Sequence, residues 1–146
     1  MTVVREARTS DQAGWRRLWA AYLAFYETDV PDDITDLTWR RILDPATPMI
    51  GRIAEDDGEI IGFSISVVHV GTWFAGPACY LEDLFVDPAR RGQGVGRLLV
   101  QDLVDLGRQH GWANLYWHTR HNNPARKLYD AFVGADDFVR YRLTLN

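Results

Sequence analysis

The order of predicted elements in this chain of 146 residues indicates an α/β fold of the α+β kind, with helices covering a central, mainly antiparallel sheet. Two observations predict this fold. Short runs rich in β-branched and aromatic residues alternate with amphipathic helical patterns. The segment Asp56-Asp57-Gly58-Glu59 also has the residue types of a hairpin turn between two such runs. The length suits a single domain, residues 1–146, with its own core.

The elements follow one another along the whole chain. Asp11 and the two residues before it offer N-caps for a helix through about Tyr26, in which apolar residues recur at helical spacing. A second, shorter helix ends near Asp44. A fourth helix begins at Asn122 and extends to about Val133. Strands are predicted at residues 3–7, 49–54, 59–70, 79–86, 113–118 and 138–145.

A glycine-rich turn connects strand four to a third helix, predicted from the amphipathic pattern over residues 95–110. The first N–H groups of a helix have no intrahelical partner, and the helix dipole adds partial positive charge at that end. Glycines at positions 92, 94 and 96 allow a sharp turn, and arginines add full charges at Arg90, Arg91 and Arg97. The turn is therefore predicted to bind an anion such as phosphate or pyrophosphate.

Two common phosphate motifs do not fit this turn. A Walker motif needs Lys-Ser or Lys-Thr after the glycines, and a dinucleotide fingerprint belongs near the first strand of a βαβ unit. The observed spacing, Arg91-x-x-Gly94-x-Gly96 after Leu81-Glu82-Asp83-Leu84-Phe85-Val86, resembles the GNAT superfamily of acetyl-CoA-dependent N-acetyltransferases. A second phrase, Asn122-x-x-Ala125-x-x-Leu128-Tyr129, strengthens the resemblance, which covers nearly the whole chain. It implies six to seven strands, about four helices, and splayed strands four and five.

The resemblance also implies a binding mode for acetyl-CoA. In such enzymes the glycine-rich loop holds the pyrophosphate, and the backbone of strand four binds the pantetheine arm. No metal is expected, since His118 and His121 lack a third ligand at suitable spacing. The residues expected to bind the coenzyme are Leu84, Phe85, Val86, Arg91, Gly92, Gln93, Gly94, Val95, Gly96, Arg97, Asn122 and Tyr129.

Tyr129 resembles the family's general acid, which protonates the departing thiolate. A phenol with a pKa of about 10 stays protonated at neutral pH and suits this role. The alternative is a core tyrosine on an amphipathic helix. Asn122 is either a coenzyme ligand or the N-cap of helix four.

An amine substrate must lose a proton before it attacks a thioester, because an alkylammonium has a pKa near 10. Glu82 on strand four resembles the glutamate that takes part in proton removal in diamine acetyltransferases. Strand alternation sends Asp83 to the opposite face, where it is predicted as a second acid of the acceptor site. The alternatives are a structural role for Glu82, in which it caps a loop or pairs with an arginine, and His118 as the base. His121 is expected on a loop surface.

The acceptor region is predicted where aromatic and acidic residues occur together, which suits a cationic substrate. The candidates are Tyr22, Tyr26, Glu27, Glu82 and Asp83. Together with Tyr116-Trp117, this region is similar to the fungal histone-and-polyamine acetyltransferases. Equally, the acids here form a solvated face, with Asp32-Asp33 as an N-cap.

The resulting hypothesis is an N-acetyltransferase that acetylates a primary amine, such as a polyamine or amino acid, by direct attack in a ternary complex. A protein lysine acetyltransferase and a noncatalytic acyl-CoA-binding module are the alternatives. The formal net charge of −4 argues against nucleic acid, and no apolar run approaches the roughly 20 residues of a membrane span.

The single cysteine, Cys79, and the absence of a signal-peptide pattern favour a cytoplasmic protein. Cys79 is interpreted as a small strand residue rather than a nucleophile. A homodimer is expected, because Trp73, Phe74 and the last strand are predicted at an exposed edge.

Overall fold

Five strands form one sheet in the computed structural model, which describes residues 1–146. They are β1 (Val3–Glu6), β2 (Met49–Asp56), β3 (Glu59–His69), β4 (Ala78–Val86) and β5 (Asn114–Trp117). The strands lie in the order β1-β2-β3-β4-β5, and every pair is antiparallel except the parallel pair β4–β5. The predicted mixed, mainly antiparallel sheet is confirmed, although it has five strands rather than six or seven.

Four helices cover the sheet, as predicted: α1 (Gln12–Phe25), α2 (Asp32–Leu43), α3 (Val95–His110) and α4 (Arg126–Asp130). Successive residues of a strand point to opposite faces. Ile53 packs with α1 and α2, whereas its neighbour Ala54 packs with α3, so these helices lie on opposite faces of the sheet. No helix combines the length and apolar character needed to span a bilayer.

The core beneath α1 and α2 is built from stacked indoles. The ring centroid of Trp15 lies 5.2 Å from that of Trp19 and 4.9 Å from that of Trp39. Phe63 and Phe85 extend this aromatic cluster across β3 and β4. Such rings each remove a large apolar area from water and contribute strongly to core stability. The cluster therefore holds α1 firmly against the strands that carry the candidate site.

The C-terminal part of the chain departs from the sequence predictions. Residues 138–145 alternate in character but form no strand. A strand becomes regular structure only when it pairs, and no hydrogen bond joins the backbone of this segment to the backbone of another segment. Helix four is also shorter than predicted. Asn123 forms a turn before α4, in which its side chain accepts a 2.9 Å hydrogen bond from the Ala125 N–H.

Two irregularities of β4 shape the candidate site. The β4–β5 pairing ends at Leu81 and Trp117, so the strands have no paired residues beyond that point, in keeping with the predicted splay. A β-bulge also interrupts β4, because Asp83 pairs with Ile65 while Leu81 pairs with Ser66. Glu82 is therefore the extra residue and has no cross-strand partner.

Candidate active site

The glycine-rich loop presents a row of unpartnered backbone donors. No protein acceptor contacts the N–H groups of residues 92–97, and the first helical bond runs from the Leu98 N–H to the Gly94 carbonyl at 3.1 Å. Gly92 and Gly94 have φ values of +78° and +80°. Glycine adopts this left-handed region readily, while other residues are strained there. The loop therefore has the backbone geometry of an anion site at a helix N-terminus.

The loop arginines differ in their surroundings. Arg90 forms ion pairs with Asp56 and Glu59, so its charge is already compensated. The Arg91 guanidinium lies 5.3 Å from the ring centroid of Phe85, and its Nε donates to the Val86 carbonyl at 3.3 Å. Neither Arg91 nor Arg97 has a carboxylate partner. Only these two of the three predicted arginines thus bring uncompensated positive charge to the loop.

A small cavity of about 30 Å³ lies where β4 and β5 diverge. A space of this size accommodates one or two water molecules. Residues from α1, β4, α4 and the end of β5 line it. They are Tyr22, Tyr26, Leu81, Glu82, Leu84, Trp117, His118, Thr119 and Tyr129. The cavity therefore brings together both predicted catalytic residues and both predicted acceptor-site tyrosines.

Tyr129 is half-buried on α4, and its ring centroid lies 5.5 Å from that of Trp117. Burial raises the pKa of its phenol to about 12, and the Tyr26 phenol contributes further. Its hydroxyl makes no hydrogen bond within the protein. Tyr129 thus holds its proton at neutral pH and presents an unengaged donor at the cavity.

Glu82 is exposed at the bulge and lines the same cavity. It has neither a hydrogen-bond partner nor an ion pair. A carboxylate that caps a loop or pairs with an arginine would show such a contact. The contacts of the folded chain therefore give no support to the structural alternative for Glu82.

Asp83 points to the α1 side of the sheet and accepts a 2.7 Å hydrogen bond from the Tyr22 hydroxyl. The Tyr22 ring packs in T-shaped contacts against Phe63 and Phe85. Burial raises the pKa of the Asp83 carboxyl to about 6, although the Tyr22 hydrogen bond opposes the shift. Burial and the Asp83 charge both raise the pKa of Tyr22, which stays neutral. The pair anchors α1 to β4 beside the cavity.

Replacing Asp83 with asparagine should change how stability depends on pH. An unfolded aspartate loses its proton near pH 3.9, whereas folded Asp83 keeps its proton until about pH 6. Rising pH in this interval therefore destabilises the wild type relative to Asp83→Asn, which has no ionisable group here. We expect the melting temperature of the variant minus that of the wild type to increase between pH 4 and pH 7.

Asp105→Asn is the matched control, because Asp105 lies on an exposed part of α3 and bonds only to Gln101. Its difference in melting temperature should stay constant over the same range. A constant difference for Asp83→Asn would show that its carboxyl ionises normally in the folded protein.

The remaining predicted residues lie at varying distances from the cavity. His118 lines it, with Nδ1 3.3 Å from the Tyr80 hydroxyl, whereas His121 lies on an exposed loop as predicted. Glu27 is exposed and does not line the cavity. Asp32 is exposed and pairs with Arg16 at 3.5 Å, which favours the solvated-face interpretation of these acids. The predicted N-cap role of Asp32-Asp33 was wrong, because both lie in the first turn of α2, whose N-cap is Pro31.

Asn122 does not cap α4, because the helix begins at Arg126 with Ala125 at its N-cap position and no side-chain cap hydrogen bond. Its side chain is exposed and makes no hydrogen bond within the protein, which leaves the coenzyme role as the surviving prediction. Sequence reasoning did not assign Leu81, Trp117 or Thr119 to the site. The parallel pairing of β4 with β5 could have located Trp117, since it places Trp117 opposite Leu81 at the start of the splay.

Comparison with known proteins assigns this fold and loop to a family. The chain matches the family described as "Acetyltransferase (GNAT) family" over residues 13–135. The chain belongs to the GNAT family, and it is an acetyl-CoA-dependent N-acetyltransferase.

Two relatives agree with this assignment, and a solved structure shares the fold. The chain is 32% identical to the D-amino-acid N-acetyltransferase HPA3 of Saccharomyces cerevisiae, over 96% of this chain and 89% of that protein. It is 29% identical to the thialysine N-epsilon-acetyltransferase of Bos taurus, over 62% of this chain and 56% of the relative. The structure of AAC(6')-Iy with the bisubstrate analogue CoA-S-monomethyl-acetylneamine superposes with a TM-score of 0.82 at 24% identity, covering 99% of both chains.

Proposed function

We propose that the protein transfers the acetyl group of acetyl-CoA to the primary amine of a small molecule, by direct attack in a ternary complex. One observation carries this proposal. An unpartnered carboxylate, Glu82, and a protonated phenol, Tyr129, line the same small cavity. A reaction that removes a proton from an amine and supplies one to a thiolate needs this pair of groups.

The coenzyme site fits acetyl-CoA, which supplies the acetyl thioester. Backbone N–H groups of residues 92–97 would hold the pyrophosphate, with positive charge from Arg91 and Arg97. Beyond Leu81 the β5-facing edge of β4 has no strand partner. The backbone of residues 84–86 is the proposed pantetheine contact, and a β4 N–H would polarise the thioester carbonyl. Asn122 is a further proposed contact, and no metal is required.

The proton path runs through the cavity. Glu82 accepts the proton of the ammonium group directly or through a water molecule, for which the cavity of about 30 Å³ has room. The amine nitrogen then forms a bond to the acetyl carbon as the carbon–sulfur bond breaks, and Tyr129 donates its proton to the departing sulfur. The acylated nitrogen gives up its second proton, which returns to Tyr129 through water, and Glu82 releases the first proton to solvent. His118 remains the alternative base, because it lines the same cavity.

The acceptor wall favours a cation. The ring centroids of Tyr22 and Tyr26 lie 5.1 Å apart on the α1 side of the cavity. The faces of aromatic rings attract ammonium groups. Asp83 adds negative charge behind Tyr22 above about pH 6. Glu27 is proposed as an outer contact from the end of α1.

A small amine is preferred over a protein lysine because relatives carry names such as D-amino-acid, thialysine and streptothricin acetyltransferase. The test is a panel of polyamines, L- and D-amino acids and lysine peptides with acetyl-CoA, followed by thiol detection. Turnover of lysine peptides alone would establish the protein acetyltransferase alternative. Coenzyme binding without turnover of any amine would favour the noncatalytic alternative. We further propose a cytoplasmic homodimer without a nucleic-acid partner.

Glu82→Gln should reshape the dependence of rate on pH. The wild-type rate should rise with pH and then level off, as the amine–enzyme pair loses a proton. The variant keeps the side-chain shape but lacks the carboxylate that accepts the proton of the amine. Its rate should therefore be low at neutral pH and partly recover at high pH, where free amine is abundant. A thermal melt accompanies each kinetic measurement. If the variant melts earlier but keeps the wild-type profile, Glu82 is structural, and His118→Gln becomes the next variant to test.

A further inference from the structure

Phe25 is the last residue of α1, and its ring faces solvent rather than the core. The residue is 53% exposed and does not belong to the aromatic cluster beneath α1. Its ring makes a T-shaped contact with the Tyr26 ring, at a centroid distance of 5.1 Å. The Arg91 guanidinium carbon lies 5.3 Å from the centroid of the same ring. Core packing therefore does not explain the position of Phe25, whereas a contact with the glycine-rich loop does.

The backbone at the end of α1 fixes the direction of this ring. The Thr28 N–H donates to the Leu23 carbonyl at 3.0 Å, and the Glu27 N–H donates to the Ala24 carbonyl at 3.1 Å. These two bonds close the helix in a Schellman motif. Glu27 occupies its left-handed position, with a φ of +51°, where glycine is the favoured residue. The chain thus accepts a strained residue in order to end the helix two positions after Phe25.

Arg91 is held in place without a carboxylate. Its guanidinium carbon lies 5.3 Å from the ring centroid of Phe85 as well as from that of Phe25. Its Nε donates to the Val86 carbonyl, and neither Nη group has a hydrogen-bond partner in the protein. An aromatic ring attracts a cation through its quadrupole and leaves the net charge in place. Arg91 is therefore oriented, fully charged and able to donate to an anion.

The neighbouring Arg90 is held in the opposite way. Its guanidinium pairs with Asp56 and Glu59, which compensate its charge. An anion that binds Arg90 must compete with these carboxylates, whereas an anion that binds Arg91 displaces none. Preorganised groups of this kind reduce what a ligand loses on binding.

We propose that Phe25 is a positioning residue of the coenzyme site, which acts by holding the Arg91 guanidinium beside the glycine-rich loop. The two Nη groups of Arg91 then donate to a phosphate oxygen of the coenzyme. The inference rests on the proposed role of this loop in binding the pyrophosphate. It extends the coenzyme site to the last turn of α1, directly before Tyr26, which lines the cavity.

The first experiment measures the affinity for coenzyme A by calorimetric titration. Phe25→Leu removes the ring but keeps an apolar side chain, so affinity should fall by about two- to five-fold, which corresponds to one exposed cation–π contact. Phe25→Tyr keeps the ring and should bind like the wild type. The matched control is Phe138→Leu, because Phe138 is 83% exposed and no guanidinium lies over its ring. Its affinity should be unchanged.

A double-mutant cycle with Arg91→Gln separates positioning from a general effect on folding. Arg91→Gln alone should weaken binding, and Phe25→Leu should add no further loss in that background, because no guanidinium remains to be positioned. A merely structural role of Phe25 would weaken binding by the same factor in both backgrounds. Thermal melts establish that each variant is folded.

Unchanged affinity in Phe25→Leu, or an equal loss in both backgrounds, would overturn the proposal. Gly94→Val distinguishes this failure from failure of the coenzyme site itself. If Gly94→Val loses affinity while Phe25→Leu does not, the loop remains the pyrophosphate site and only the role of Phe25 is excluded.

Discussion

Tyr129→Phe is expected to slow acetyl transfer by about 10²-fold while coenzyme affinity stays near the wild-type value. The substitution removes only the hydroxyl, which makes no hydrogen bond within the protein. Packing against Trp117 is retained, so folding should not suffer. Because product release can mask the chemical step in steady-state turnover, the rate is measured in a single turnover with enzyme in excess over acetyl-CoA.

The control for Tyr129→Phe is Tyr116→Phe. Tyr116 also carries an accessible hydroxyl, but it bonds to His69 at 2.8 Å and does not line the cavity. This variant should keep the wild-type single-turnover rate. A folded Tyr129→Phe protein with the wild-type rate would mean that Tyr129 serves packing and that another group protonates the thiolate.

Gly94→Val should abolish measurable coenzyme A binding in a protein that still folds. Gly94 has a φ of +80° at the N-cap of α3, a conformation that is costly for a β-branched residue. An added Cβ would meet no protein atom within 4 Å, so the protein itself has room for the side chain. The substitution therefore acts by tilting the N–H groups and blocking the space before them. Calorimetric titration with coenzyme A measures the loss.

Gly111→Val supplies the control for backbone strain. Gly111 has a φ of +70°, also with no protein atom within 4 Å of an added Cβ. It lies at the other end of α3, roughly 25 Å away at 1.5 Å per residue. Both variants should lose similar amounts of thermal stability, but only Gly94→Val should lose affinity. Unchanged affinity in folded Gly94→Val would exclude the loop as the pyrophosphate site.

The loop and α3 were predictable because every local signal agreed there. Gly94 and Gly111 occupy left-handed positions at the two ends of the helix, where glycine is favoured, and apolar residues recur at helical spacing between them. Such a segment specifies its own structure with little help from distant residues. The hairpin between β2 and β3 was predictable for the same reason, since Asp57 and Gly58 both have positive φ.

The alternation of apolar and polar residues predicted strands less reliably, because a strand forms only where it pairs with a neighbouring strand. Residues 138–145 have the pattern of a strand, yet no edge of their own sheet pairs with them. Alternation in the sequence shows which face of a strand is apolar, but it does not show which edge of a sheet the strand pairs with. The length of α4 was also missed. A helix from Asn122 was predicted, but the chain forms a turn there, in which Asn123 accepts a hydrogen bond from the Ala125 N–H, and α4 spans only Arg126–Asp130.

Within the candidate site, residue types were predictable and their environments were not. The bulge at Glu82 leaves no trace in the local sequence, yet it determines that this carboxylate has no cross-strand partner. The bond between Tyr22 and Asp83 joins residues 61 positions apart. Arg90 likewise meets Asp56 only through the folded sheet. Such long-range contacts set pKa values and available charge, and local patterns do not encode them.

The distribution of tryptophans gives the protein separate optical reporters. Trp15, Trp19 and Trp39 stack in the core, so their electronic transitions couple and produce a near-ultraviolet dichroism that depends on the intact aromatic stack. Trp117 instead lines the cavity, where its emission responds to an arriving ligand. Near-ultraviolet dichroism should thus follow folding, and the part of the fluorescence change that is lost in Trp117→Phe should follow occupancy of the cavity.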